Sequence, residues 1–235
     1  MNISPIGRDT QECIVYIYLT FYNLKLKYQK LWKNIIFFNK FLTFFSVCID
    51  KKDVIFVLDS SSSIGKDNFQ YVLDFVRALV EEIGGTSKEH RFGLITFSTE
   101  VNLVFSLGRY RNVNDISKAV SSTRYTAGST NTAGGLRTAW EVFNSGLGGR
   151  QSAEDIVILI TDGQSNLNSD DTIKAADDLK IHGVKIVSIG IAMKDTDEIF
   201  AIASSDDDVF QASDFKSLLE IRQDISENSC KKNGS

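Results

Sequence analysis

Residues 53–60 read DVIFVLDS, and residues 155–161 read DIVILIT. Each segment has five apolar residues in a row, a pattern that predicts a strand covered on both faces, as in the middle of a parallel sheet. An acidic residue closes the first segment (Asp59), and another follows the second (Asp162). The two segments therefore indicate both the fold class and the points where polar groups leave the core.

Strand-like and helix-like patterns alternate along the chain from residue 53. Further strands are predicted at 91–98, 101–107, 184–191 and 208–212, the first two forming a hairpin. Apolar residues recur at helical spacing at 68–83, 113–122, 132–144, 170–181, 196–203 and 214–225. This alternation predicts an α/β fold: a doubly wound, mostly parallel six-stranded sheet with one antiparallel edge strand and helices on both faces.

Three predicted loops are rich in Ser, Thr, Asp and Gly. They read DSSSS at 59–63, GSTNT at 128–132 and TDG at 161–163. In open sheets, ligands bind beyond the carboxyl ends of the strands, where the winding reverses, so these loops are expected to meet. Their hydroxyl and carboxylate oxygens suit Mg²⁺, Mn²⁺ or Ca²⁺, and do not suit zinc or copper.

The order and spacing of these motifs resemble a known site. Asp-x-Ser-x-Ser, Gly-x-Thr and Thr-Asp-Gly are similar to the metal-ion-dependent adhesion site of the von Willebrand factor A family, which includes integrin inserted domains, matrilins and several collagens. The resemblance covers about residues 53–225. It implies direct hydroxyl ligands from Ser61, Ser63 and Thr130, and Asp59 and Asp162 acting mostly through bound waters. The remaining coordination position would take a Glu or Asp of a partner protein, such as collagen or another matrix protein.

Other interpretations of the loops remain open at this point. Asp- and Ser-rich loops often serve only as turns or helix caps. A site of this kind can also bind a metal for stability alone, without contacting a partner. Catalysis is not expected, because neither a Gly-x-Ser-x-Gly elbow nor a phosphate-binding Gly-x-x-x-x-Gly-Lys motif is present. His90 and His182 precede a strand and end a helix, which favours structural roles.

Two cysteines flank the predicted domain. Cys48 precedes the first strand and Cys230 follows the last predicted helix. We interpret them as a disulfide between the two ends, which implies an oxidising compartment; the alternative is two free thiols. Together with the site, this predicts an extracellular, metal-dependent protein-binding module for adhesion or matrix assembly. An intracellular scaffold of a multiprotein assembly and a cell-surface receptor ectodomain are the alternatives.

The composition divides the chain near residue 48. Residues 1–47 carry a net charge of +4 and 11 of the 25 aromatic residues, whereas the whole chain carries −4. This segment is interpreted as a poor signal or membrane anchor, or as a mis-called start, so membrane contact stays undecided. Residues 48–230 form the predicted domain and 231–235 a short tail. The acidic balance gives no reason to expect a nucleic-acid partner.

Overall fold

Six strands form one sheet in the order β3-β2-β1-β4-β5-β6. The β3 strand pairs antiparallel with β2, and all other neighbours are parallel. The computed structural model describes residues 50–167 and 169–230. The predicted fold class is confirmed, including the single antiparallel edge strand. The strands are β1 (Lys52–Asp59), β2 (Arg91–Phe97), β3 (Val101–Phe105), β4 (Glu154–Thr161), β5 (Lys185–Ile191) and β6 (Val209–Ala212).

Helices cover both faces of the sheet. Alternate strand residues face opposite sides, so Phe56 packs under one layer of helices and Val57 under the other. The first layer contains α1, α2 and α6, and the second contains α3, α4 and α5. The helices are α1 (Lys66–Gly84), α2 (Val113–Ser121), α3 (Thr132–Asn144), α4 (Ser169–Ile181), α5 (Asp197–Ile202) and α6 (Arg222–Cys230).

The prediction of one final helix over residues 214–225 is wrong. The structure has a 3₁₀ helix at Ser217–Glu220, and then α6 from Arg222 to Cys230. The apolar residues Phe215, Leu218 and Ile221 are three apart, which matches the three residues per turn of a 3₁₀ helix. Asp214 begins this turn, as its Oδ1 accepts hydrogen bonds from the backbone N–H groups of Lys216 and Ser217. The polar sequence of α6 gave no helical signal.

Several predictions fall on residues outside the described part of the chain. These are the N-terminal segment 1–47, the tail 231–235 and Cys48. Cys230 is disulfide-bonded, but the pairing with Cys48 stays a prediction. Among the described helices, none combines the length and apolar character needed to cross a membrane.

The sheet order places the ends of β1 and β4 side by side at its centre. Their register pairs Leu58 with Ile160, so Asp59 and Thr161 leave the sheet next to each other. From this central pair the winding runs outward in opposite directions. The described structure therefore brings the loops after β1 and β4 to the position where ligands bind in open α/β sheets.

Candidate metal centre

Asp59 ends β1 and is fully buried. Both of its carboxylate oxygens are held: Ser61 N–H donates to Oδ1 at 2.8 Å, and Thr161 Oγ1 donates to Oδ2 at 2.7 Å. Burial raises the pKa of Asp59 to about 6, and the nearby Asp162 carboxylate adds to the rise, while the hydrogen bonds from Ser61 and Thr161 oppose it. The Asp59 side chain is thus fixed in position, and its hydrogen bonds do not fully offset the cost of burying its negative charge.

A row of hydroxyl groups extends from this carboxylate to the second one. Ser61 Oγ lies 3.0 Å from Ser63 Oγ, and Ser63 Oγ donates to Asp162 Oδ1 at 2.7 Å. Burial also raises the pKa of Asp162, against the hydrogen bond from Ser63. Asp59, Ser61, Ser63 and Asp162 are therefore linked by successive hydrogen bonds across two loops, with Asp59 joined through the Ser61 backbone N–H.

Thr130 lies in the neighbouring middle loop and takes no part in that row. It is buried, with 4% of its surface exposed. Its loop docks on the first one by a reciprocal pair: Ser62 N–H donates to Gly128 O, and Gly128 N–H donates to Ser62 Oγ, both at 3.0 Å. Gly128 has a φ of +113°, and a Cβ there would lie 2.5 Å from Thr99 Oγ1, so only glycine fits.

Further hydrogen bonds hold the loop that follows β1. Ser60 Oγ accepts hydrogen bonds from the backbone N–H and the hydroxyl of Thr126, at 2.9 and 3.1 Å. Tyr125 donates its hydroxyl to the carbonyl of Ser61 at 3.0 Å. Sequence reasoning missed these residues, because they are 64 to 66 positions from their partners along the chain. No local pattern announces such a contact.

The donor set fits a hard divalent cation. It consists of hydroxyl and carboxylate oxygens, the ligands that Mg²⁺, Mn²⁺ and Ca²⁺ prefer. Among the ion pairs of the described residues, none joins Asp59 or Asp162 to a Lys or Arg. Carboxylates removed from water need a partner of opposite charge, and here the described chain supplies only hydroxyl and N–H donors. A bound cation would meet that need.

The two histidines lie elsewhere. His90 Nδ1 accepts a hydrogen bond from the backbone N–H of Lys52, at the start of β1 and so at the opposite end of that strand. The His182 ring follows α4 and packs against Trp140, with 4.2 Å between ring centroids. Neither contributes to the hydroxyl row.

Fold and site together define an α/β domain with an oxygen-lined site where the sheet winding reverses. The sequence profile of the von Willebrand factor type A domain matches residues 53–224, and the chain belongs to this family. It is 30% identical over 184 residues to the Collagen alpha-4(VI) chain of Mus musculus. It is also 30% identical over 181 residues to Matrilin-1 of Bos taurus. These alignments cover 78% and 76% of this chain.

A solved structure of proximal thread matrix protein 1 from the mussel byssus superimposes with a TM-score of 0.71. It is 30% identical and covers 77% of this chain. In that structure the metal-ion-dependent adhesion site (MIDAS motif) is occupied by zinc. Donor chemistry alone predicts that such a site does not suit zinc, and for that relative the prediction is wrong. The chain spans 8% of the length of the collagen, 33% of the matrilin and 48% of the thread protein.

Proposed function

We propose that this domain is a metal-dependent protein-binding module of the extracellular matrix. The observation that carries the proposal is the row of hydroxyls between a buried carboxylate (Asp59) and a half-buried one (Asp162), both of which lack a basic partner in the described structure. It lies at the edge of the sheet where a ligand is accessible, because Ser63 at the centre of the row is exposed.

The proposed roles follow the three motifs. Ser61, Ser63 and Thr130 would hold Mg²⁺, or Mn²⁺ or Ca²⁺, directly by their hydroxyl oxygens. Asp59 and Asp162 would act mostly through water. Asp59 also positions Ser61, since its Oδ1 accepts the Ser61 N–H and draws the loop back over the end of β1.

The chemistry of the site favours an acidic partner. A cation held mostly by neutral hydroxyls keeps most of its positive charge, and in a partly dry site that charge attracts a carboxylate strongly. The partner group is therefore proposed to be a Glu or Asp side chain. No catalytic role is proposed, and the relatives named above are a collagen, a matrilin and a thread matrix protein.

Two observations support an extracellular location over an intracellular scaffold. Cys230 is disulfide-bonded, and stable disulfides are rare in the cytosol. The relatives at 30% identity are matrix proteins by name. Collagen or another matrix protein is accordingly the proposed partner class.

Titration calorimetry of the full chain tests the metal site. Mg²⁺, Mn²⁺, Ca²⁺ and Zn²⁺ are added to EDTA-treated wild type, Thr130→Ala and Thr130→Ser. We expect wild type and Thr130→Ser to bind, because both keep the hydroxyl ligand, and Thr130→Ala to lose most of its affinity. Ser129→Ala, which removes the adjacent hydroxyl, is the matched control and is expected to bind like wild type. Absence of binding in wild type would refute the metal site.

A second experiment tests the partner. Immobilised collagen and triple-helical peptides that differ only by Glu→Gln are presented to the wild-type chain with Mg²⁺ or with EDTA. We expect binding that requires both the metal and the Glu, and that Thr130→Ala abolishes. Equal binding of Glu and Gln peptides, or binding in EDTA, would exclude carboxylate coordination.

A further inference from the structure

The loop that follows β4 holds both backbone groups of Thr130, its N–H and its carbonyl. Thr130 N–H donates to Asn166 Oδ1 at 2.9 Å, and Thr130 O accepts from the backbone N–H groups of Asn166 and Leu167 at 3.1 and 3.2 Å. Ser165 Oγ lies 3.1 Å from the same carbonyl and 3.1 Å from the Leu167 carbonyl, so its one proton is shared between the two acceptors. Three hydrogen bonds and the shared Ser165 hydroxyl thus converge on one residue from three successive positions of another loop.

We infer that Asn166, Ser165 and Glu198 are positioning residues for the metal ligand Thr130, and we call these three residues the Thr130 clamp. The inference rests on the proposed function, since it concerns a metal held by Thr130. None of the three belongs to the five-residue pattern that identifies the site.

Asn166 carries most of the effect. It forms a closed ring of two hydrogen bonds with Thr130, in which its side chain accepts and its backbone N–H donates. Thr130 is almost fully buried whereas Asn166 is exposed, so removing the Asn166 side chain takes away the partner that the chain itself supplies to the Thr130 N–H. The ring fixes the two peptide units on either side of the Thr130 Cα, and hence the direction in which the Thr130 side chain leaves the backbone.

Ser165 and Glu198 extend the clamp to a helix. Ser165 N–H donates to Glu198 Oε1 at 2.8 Å, a bond strengthened by the carboxylate charge. Glu198 lies in the first turn of α5 and is half-buried. Burial raises the pKa of Glu198, and the hydrogen bond from Ser165 opposes that rise. A path of two successive hydrogen bonds therefore links α5 to the Thr130 carbonyl.

Residues that hold a metal ligand in place matter because the ligand acts only within narrow geometric limits. Losing such a supporting residue commonly lowers metal affinity about 10- to 100-fold. We expect Asn166→Ala to weaken Mn²⁺ and Mg²⁺ binding about tenfold or more. Glu198→Ala acts through Ser165 and is expected to have a smaller effect, about threefold to tenfold. Glu198→Gln keeps a carbonyl oxygen to accept the Ser165 N–H, so it is expected to restore wild-type affinity.

Asn131→Ala is the matched control for Asn166→Ala. Asn131 is next to Thr130 and also accepts one backbone hydrogen bond, from Gly134 N–H at 3.0 Å, where it caps α3. Its loss is expected to lower the urea midpoint of the metal-free protein without changing metal affinity. Asn166→Ala is expected to lower the urea midpoint by a similar amount, but it should also cause a large loss of metal affinity.

Hydrogen exchange of the metal-free full chain supplies a readout independent of metal. The Thr130 amide should exchange faster in Asn166→Ala and at the wild-type rate in Asn131→Ala. If wild type binds Mn²⁺ and Asn166→Ala binds it equally well, the clamp is refuted and the proposed function stands. If wild type binds none of the cations, the proposed function fails first. Equal losses of affinity in Asn166→Ala and Asn131→Ala would also overturn the clamp.

Discussion

The two ends of the sheet treat their carboxylates in opposite ways. At the amino ends of the strands, Asp53 is fully buried and lies 2.6 Å from Arg150 Nη2. Its other oxygen accepts the Arg150 backbone N–H at 2.8 Å. At the carboxyl ends, Asp59 and Asp162 meet hydroxyl and N–H donors, and within the described residues they form no ion pair with Lys or Arg. A single strand, β1, carries Asp53 at one end and Asp59 at the other.

This difference separates a structural end of the sheet from the end that is proposed to bind a cation. The amino end is closed by charges of the chain itself: besides Asp53 and Arg150, it holds the pair of Lys52 with Glu154. Within the described residues, the carboxyl end has negative charge without a basic partner, which supports the proposed binding of a cation there. The negative charge of a buried Asp is therefore compensated where an Arg or Lys can pair with it, and stays uncompensated where none can.

Removing Asp53 should produce the largest effect. Asp53→Ala leaves Arg150, which is 15% exposed, without its carboxylate. We expect the free energy of unfolding in urea at pH 7 to fall by about 3 kcal/mol. Metal affinity by calorimetry should stay at the wild-type value, because the substitution is at the opposite end of β1. A parallel loss of metal affinity would show that the two ends are not independent.

Adding a cation should give the next largest effect, with opposite sign. At 100 times its dissociation constant, Mg²⁺ should raise the free energy of unfolding of wild type by about 2.7 kcal/mol. Asp59→Asn should gain little from Mg²⁺, yet in EDTA it should be about as stable as wild type, because it removes a buried charge that has no basic partner. A large loss of stability in EDTA would mean that the Asp59 charge is already compensated.

Asp155 is the exception at the amino end, and it gives a smaller, pH-dependent effect. Its Oδ1 is buried and makes no hydrogen bond within the described structure. Burial and the charge of Asp53 raise the pKa of Asp155 from 3.8 to about 7, while Arg150 opposes the rise. The folded state therefore holds this proton more tightly than the unfolded state, and stability falls as the pH rises from about 4 to about 7.

The test is Asp155→Asn in urea at several pH values. Because the variant lacks the charge, it should exceed wild type by about 1–2 kcal/mol at pH 8, an amount reduced by the partial exposure of the side chain. At pH 4 Asp155 is protonated in the folded state, so most of the pH-dependent difference in the free energy of unfolding between the two proteins should be absent. A difference that does not vary with pH would assign the titration to another group.

The smallest effect is expected at an exposed pair of the same residue types. Arg137 Nη2 and Asp171 Oδ2 are 2.8 Å apart, and both side chains are nearly half exposed. Asp171→Ala should change the free energy of unfolding by less than about 0.5 kcal/mol in urea, because water and salt screen the pair. A loss approaching that of Asp53→Ala would remove burial as the reason for the difference between them.

Local patterns were sufficient for the fold and for the positions of the loops. The apolar runs of β1 and β4 could only be central strands, and polar residues directly after them had to meet at one edge. The contacts that complete the site were not predictable in this way. Asn166 and Thr130 are 36 positions apart, and Arg150 and Asp53 are 97 apart. Such pairs depend on the packing of separate elements.

The failure at residues 214–225 has a different cause. Spacings of three and four both satisfy a helical pattern, so the sequence could not distinguish the 3₁₀ turn at Ser217–Glu220 from the start of a longer helix. α6 itself contains one buried apolar residue, Ile225, and its other buried residues are polar. The position of α6 depends on the elements that it packs against, and the spacing of its apolar residues does not predict those contacts.

The pairing of β1 with β4 has a kinetic consequence. These neighbours are about 100 residues apart in the chain, and the hydroxyl row joins Ser63 to Asp162 across the same separation. A contact of such long range closes late in folding. A bound cation should therefore slow unfolding and leave the refolding rate nearly unchanged. In the proposed metal-bound state the domain would be protected because it opens slowly, and a fall in free cation would shorten the lifetime of the folded domain without changing its rate of folding.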